Sequence, residues 1–541
     1  MRNFIFVAAL SVLPSVATAD PLEDIRESVA AQDVEAVSQY MLQMHKTAEA
    51  DGNFTPLQRV NGKVFSSTDP KVISFLKKWL EEDPENLYAL TAWAWNRHEV
   101  AFAYRGFKNM RQSSPYAIEA YRQENDAART AAQMAYALDP KYVPAADAMI
   151  TMHPGRGAAV DIDKILADIM EVSPNYQSLS NAIWASSPNW GGSFNSMSQK
   201  CVKYADRIPD YSQDICLTKA ALEFNVPSEM RKTALKVLSE SDHPRLLSKY
   251  ADSYNYIGFP KPIDVDRLIE KHRKALSTNP NAEQYLISAE YFSINFGRSE
   301  YYFEARDALR ENILTRVKAN PYDPHLIKDY LQLELKIKTD MRRLAGRPKP
   351  VWDDSMLLAL QKHWVNALEF GQFDPAIWAL GASLLDITDP RDDNDRIVAF
   401  LSQAISLSPE PQQFLGQLMN HHYYTWRDAA SALKSNSDTI EGDAQFDIMK
   451  DAQCPMYGAA RLFATFCEFQ PGNQYCNPVL MYPGTAEKIL SDGEVITACS
   501  FEAEADIQDV YLKYFNPVPT EDFLAKHMPH LAHPDEETAA D

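Results

Sequence analysis

The sequence is poor in glycine, in paired cysteine motifs, in positive charge and in long apolar runs, and each shortage excludes something. Only 18 of the 541 residues are Gly, as suits a helical array with few specialised turns, and none of them builds a Gly-x-Gly-x-x-Gly or phosphate-loop motif. No Cys-x-x-Cys occurs among the six Cys, which sets aside a thioredoxin-like site or a zinc ribbon. Lys and Arg total 53 against 74 Asp and Glu, a net charge of -21. Nucleic acid and anionic membrane surfaces both need a basic face, so neither is expected as the main partner. Beyond the N-terminus no window reaches 18 uninterrupted apolar residues, so no membrane insertion of the mature chain is expected. Gly-x-Ser-x-Gly and His-Glu-x-x-His are absent as well. Paired acids such as Asp353 with Asp354 or Glu81 with Glu82 are common in a chain this acidic and identify no catalytic site. No catalytic residue, metal site or cofactor is assigned. What remains is 45% hydrophobic and 11% aromatic, enough to build a core and to exclude wholesale disorder.

The first 19 residues read as a signal peptide. Arg2 precedes a mostly apolar run from Phe4 to Val16, and Ala17 and Ala19 supply small residues at the third-last and last positions before Asp20. The run is too short to span a bilayer, and Asp20 rather than Cys argues against a lipidated N-terminus. The mature protein is therefore expected in a periplasm or secreted. An oxidising compartment suits the six Cys, all of them in the mature part. Cys201 and Cys216 lie 15 apart, and Cys454, Cys467, Cys476 and Cys499 crowd the C-terminal fifth. Six thiols allow 15 connectivities. The pairing expected is Cys201 with Cys216, plus two bridges among the last four.

Punctuation points to helices. Eight times a Pro follows Asp, Asn or Ser at the head of an amphipathic run: Asp69–Pro70, Asp83–Pro84, Asp139–Pro140, Ser173–Pro174, Asn279–Pro280, Asn320–Pro321, Asp374–Pro375 and Ser408–Pro409. Asp, Asn or Ser can cap the free N–H groups of a first turn, and Pro fits the first helical position. Each pair thus marks the end of one helix and the start of the next. Pro140 to Pro174 spans 34 residues, as does Pro375 to Pro409, the period of a tetratricopeptide helix pair. Ala135, Ala275 and Ala404 each stand five residues before the Pro, where a small residue lets adjacent helices approach. The fold expected is all-α, a degenerate tetratricopeptide-like helical-repeat superhelix with a Cys-bearing C-terminal cap.

The block Trp93–Gly106, with Trp95, Arg105 and Gly106, then Leu138, Asp139 and Pro140 at a repeat boundary, then Trp190, Gly191, Gly192 and Ser193, resembles an uncharacterised bacterial family of tetratricopeptide-like proteins carrying Arg-Gly and Trp-Gly-Gly-Ser motifs. The resemblance covers about residues 80–215 and implies fold rather than activity. The chain divides as signal peptide 1–19, an N-terminal helical segment 20–68, a first repeat block 69–240, a second 241–440 broken by a loop at Gly346–Asp354, a Cys-bearing helical cap 441–516, and a partly disordered tail 517–541.

Trp95, His98, Phe102 and Arg105 follow i, i+3, i+7, i+10 and share one helix stripe, near Trp93, Arg97, Tyr104 and Phe107. They can floor a groove on which Arg105 clamps a carboxylate, or simply pack on the next helix with Arg105 capping carbonyls. Lys336 to Lys349, with Arg342 and Arg343 at its centre and Asp340 as its one acid, is a basic island that can dock an acidic partner or merely complement a helix C-terminus. The Trp190–Ser193 turn lacks phosphate-loop order and reads as structural. His527, His530 and His533 are spaced by three, but Pro529 and Pro534 interrupt the helix a metal site needs; His421 and His422 read as helix surface. The function expected is an exported scaffold for a protein or peptide partner, the alternative being an envelope or secreted enzyme with a dispersed site.

Overall fold

The computed structural model describes residues 21–106, 110–153, 160–223, 228–253, 265–343, 354–388, 394–436, 440–469, 473–477, 481–492 and 516–528. The expected signal peptide, Phe107, residues 346–353, Cys499, His530, His533 and the acidic end of the tail lie outside them. Within these residues helix follows helix, and no strand occurs. Most connections are a few residues long, which forces consecutive helices into antiparallel neighbours. The result is a degenerate, tetratricopeptide-like superhelix of helix pairs.

The Pro marks sit at the helix junctions, with a correction to their role. Asp69 and Asp374 cap the helices that follow, each accepting the N–H two residues on. Asp83, Asp139, Ser173 and Asn320 instead close the helices that precede them. Each has an extended backbone, φ -146, -150, -152 and -140, and each donates its N–H to the carbonyl four residues back. A residue before Pro is pushed out of the α region, so it stops its own helix, and the Pro opens a short turn before the next. After Asp83 and Ser173 the helix cap is Asn86 or Asn175. Ala135, Ala275 and Ala404 have no exposed surface, which places the small residues at the helix crossings.

Buried apolar side chains form two large clusters, one running from Leu22 to Ala220 and one from Ala221 to Met528, with Phe194 and Ile215 packed against both. A third, much smaller cluster of Val100, Ala103 and Phe370 joins the blocks from side to side. Here the superhelix meets its own beginning. His325 Nε2 contacts the Phe102 carbonyl at 2.9 Å, and Thr68 and Ser67 donate to Asn320 Oδ1 at 3.1 and 3.4 Å. Tyr104 packs on Phe370 and Phe373, and Tyr116 stacks on Phe373 at 6.0 Å. These partners are more than 200 residues apart in sequence.

Cys201 and Cys216 are bridged, Sγ–Sγ 2.04 Å, tying the Phe194–Tyr204 helix to Gln213–Glu223. Cys467 is bridged to Cys476, fastening a short 3-10 turn to the end of the long Ile440–Phe469 helix. Cys454 is disulfide-bonded too, and no described Cys is free. Reduction is expected to lower the melting temperature: closing the 15-residue separation between Cys201 and Cys216 is worth about 3 kcal/mol. A calorimetric scan with and without dithiothreitol checks it, with Cys201→Ser isolating the first bridge, and an unchanged melting temperature counts against it.

Candidate functional site

The Leu87–Arg105 helix begins where Asn86 accepts the N–H groups of Tyr88 and Ala89, and ends at Gly106. Gly106 takes φ +73, and a Cβ there would stand 3.0 Å from the His325 ring. Two requirements therefore meet at one glycine: a positive φ that ends the helix, and space for the second block to close against it.

The stripe forms as its spacing implies. His98 meets Trp95 edge-on at 6.5 Å and Phe102 at 4.9 Å. It faces the Pro115–Leu138 helix, whose Tyr121, Asn125 and Arg129 recur every four residues along one face. Phe102 meets Tyr121 at 5.5 Å. The Arg105 guanidinium lies over both rings, 4.8 Å from Phe102 and 4.4 Å from Tyr121. Its other partners are neutral, the Gly106 carbonyl at 3.2 Å and the Met110 sulfur at 3.3 Å. No described carboxylate pairs with it. Its half-buried position depresses its pKa, but an arginine stays a cation throughout the physiological range.

Trp95 has a different role. Its indole Nε1 donates to the Pro144 carbonyl at 3.2 Å, which fastens the stripe to the Val143–Met152 helix. Trp93 and Arg97 are also structural: Arg97 lies 4.2 Å over the Trp93 ring and pairs with Glu124 at 3.1 Å. The expected groove floor thus divides into an end anchored at Trp95 and an end where Arg105 covers the Phe102 and Tyr121 rings.

His98 stands between the two. Burial, first, pushes its pKa down to about 4; Asn125 hydrogen-bonds the ring and opposes the shift, while Arg105 and Arg129 add to it. Its Nδ1 is sealed from solvent with no partner among the described residues. Arg129 donates to the Met152 carbonyl at 2.9 Å and reaches Asp126 at 3.3 Å. The Phe102 and Tyr121 rings, the His98 imidazole and the guanidinium groups of Arg105 and Arg129 are thus gathered at one end of the stripe.

Arg342 and Arg343 end the Pro324–Arg343 helix, and their side chains lie outside the described residues. That helix touches the stripe through His325, in its first turn, which leaves Arg343 about 27 Å further along the axis at 1.5 Å per residue. The fold does not gather the basic island and the stripe into one site.

The Trp190–Ser193 turn uses its own polar groups. Gly192 N–H donates to the Ser187 carbonyl at 3.0 Å and Ser193 N–H to Ser186 at 3.1 Å, while Ser193 and Ser196 cap the following helix reciprocally. His421 is half-buried against Asn394 at 2.7 Å, and burial pushes its pKa down to about 4. His527 ends the Thr520–His527 helix, and no group of three potential ligands capable of holding a metal occurs among the described residues.

Sequence reasoning missed two polar centres. One is Asp147, fully buried and held by Gln58, which also reaches Asn175 at 3.2 Å and Ser178 at 3.1 Å. Burial pushes its carboxyl up to about 7. The signal was available: Asp147 is the one charged residue in the apolar run VPAADAMITM. The other is Glu99 at the closure, which nothing local distinguishes from any surface glutamate.

No family model matches the chain, and no curated protein matches it. Among solved structures it is similar to the crystal structure of yeast Tom70, at 12% identity, over 87% of this chain and 98% of that one, with a TM-score of 0.28. No described helix is long and apolar enough to cross a membrane.

Proposed function

We propose that this protein is an exported helical-repeat scaffold that binds a protein or peptide partner, and that Arg105 anchors the partner through a carboxylate beside an apolar side chain. The observation that carries the reading is the state of Arg105. Its guanidinium is held by two aromatic rings, and among the described residues its polar partners are neutral atoms, in a chain whose net charge is -21. A cation so placed, with no carboxylate partner among the described residues, is pre-organised for an incoming anion, and little side-chain entropy remains to be lost on binding. The signal-peptide pattern at residues 1–19 and the disulfides support export. The basic island at Arg342 and Arg343, at the far end of the helix that meets the stripe through His325, is a second contact for an extended acidic partner.

Panning the mature chain against a peptide library tests the reading. Enriched peptides are expected to carry Asp, Glu or a free C-terminal carboxylate next to an apolar residue. Arg105→Ala is expected to weaken them about tenfold or more, because a hydrogen bond to a charged group is worth roughly 1.5–3 kcal/mol. Calorimetric titration of one enriched peptide measures this, and retention of full affinity by the variant sinks the assignment. A melting curve of the same variant separates binding from packing.

A further inference from the structure

The helix that carries the stripe and the Pro115–Leu138 helix run antiparallel in a fixed register. Phe102 meets Tyr121 at 5.5 Å. Four residues back on the first helix and four on along the second, His98 is hydrogen-bonded by Asn125. A further step of the same size sets Arg129 level with Ala94 and Trp95. Three rings, Phe102, His98 and Trp95, meet edge-on at 4.9 and 6.5 Å and so reach from Arg105 at one end of the strip to Arg129 at the other. The charges of both guanidinium groups act on His98 between them. Arg105 lies over Tyr121, and Arg129 is two helical turns beyond Tyr121, about 12 Å at 1.5 Å per residue.

The acids nearby leave Arg129 open to an anion. Its Nε donates to the Met152 carbonyl at 2.9 Å, which fixes the guanidinium at the edge of the strip. It pairs with Asp126 at 3.3 Å, but the two side chains are 42% and 71% exposed, and an ion pair so open to water is weak. The other acids of the Pro115–Leu138 helix are engaged elsewhere, Glu124 with Arg97 at 3.1 Å and Glu119 beside Arg122 at 3.9 Å. An incoming carboxylate at Arg129 therefore displaces one exposed partner.

We propose that Arg129 is a second anion contact of the surface that Arg105 begins, and that the partner is an extended segment with Asp or Glu at positions i and i+4 and an apolar residue at i+2. The proposal rests on the reading of Arg105 as the partner anchor. Its spacing comes from chain geometry. In an extended segment every second side chain faces the same way and each residue advances about 3.3 Å, so i and i+4 present their carboxylates about 13 Å apart on one face, close to the separation of the two arginines. The side chain at i+2 falls midway, at His98. Burial keeps that imidazole neutral, and Phe102 and Trp95 on either side are half-buried rings, so the middle of the strip suits an apolar group. An acid at i+3 would point away from the strip.

Calorimetric titration of the full mature chain with short end-blocked peptides tests the pair of contacts. One peptide carries Asp-Ala-Leu-Ala-Asp at its centre, a second has the last Asp replaced by Asn, and a third has its two Asp at i and i+3. The first is expected to bind about tenfold more tightly than either of the others, since a hydrogen bond to a charged group is worth about that factor or more. Arg129→Ala is expected to weaken the first peptide about tenfold and to leave the second unchanged; Arg129→Gln, which keeps the stem and a donor for the Met152 carbonyl, covers the case in which the alanine variant fails to fold. Equal affinity for the first and second peptides, or undiminished binding of the first by Arg129→Gln, overturns the second contact and leaves the Arg105 anchor. A loss with Arg129→Gln but none with Arg105→Ala removes the anchor and leaves Arg129. A third peptide as tight as the first overturns the extended alignment, and binding of none overturns both readings.

Discussion

Trp378→Ala is expected to destabilise the second block by about 3–5 kcal/mol. Trp378 has no exposed surface, and its indole Nε1 donates to the Gln372 carbonyl at 2.8 Å. Its ring meets Trp364 at 5.8 Å, Phe400 at 6.1 Å and Phe523 at 4.8 Å. Truncation removes one ring from a four-ring cluster, leaves a cavity too large for its neighbours to fill, and takes away the donor of the part-buried Gln372 carbonyl. Phe523 is on the Thr520–His527 helix, so the loss reaches the C-terminal end of the chain as well. Because the first block has its own core, its unfolding is expected to change less. Denaturant unfolding followed by tryptophan fluorescence and by circular dichroism measures both, and a loss under 1 kcal/mol would show that the cluster repacks.

Gly192→Ala is expected to cost on the order of 2–3 kcal/mol or more, as for other substitutions that force backbone to move. A Cβ at Gly192 would stand 1.9 Å from the Ser186 carbonyl oxygen. That oxygen already accepts the Ser193 N–H and the Ser196 hydroxyl, so it cannot withdraw without breaking the cap of the Phe194–Tyr204 helix. This helix carries Cys201, and disturbing it strains the bridge to Cys216. Gly191 beside it is the contrast: its φ is +86, yet a Cβ there meets nothing within 4 Å, so Gly191→Ala carries backbone strain alone and is expected to cost less. Thermal melts of the two variants side by side test the distinction; equal losses would refute it.

The helices and their junctions were legible because they depend on contacts within a few residues. Asp83, Asp139, Ser173 and Asn320 each announce a stop through the Pro that follows. Which side of the junction they serve was misread, because Asp, Asn and Ser suit an N-cap and an extended helix-ending residue equally well, and only the backbone angle separates the two. The stripe from Trp95 to Arg105 was legible for the same reason: helical spacing alone places its four residues on one face. Its facing partners Tyr121, Asn125 and Arg129 were not, since nothing in either helix says which face of the next one it meets.

Glu99 is the sharper case. Its neighbours in sequence, His98 and Val100, give no hint that an acid here should differ from the many others in a chain of net charge -21. What changes it is burial first, and then the charge of Asp323, a residue more than 200 positions later. Helix starts, stops and faces follow from backbone sterics and side-chain spacing over four residues or fewer, so the amino-acid order specifies them directly. Whether a superhelix returns to touch its own beginning depends on the sum of many small interhelical angles, each set by packing between side chains distant in sequence. The closure could be decided only by the folded chain.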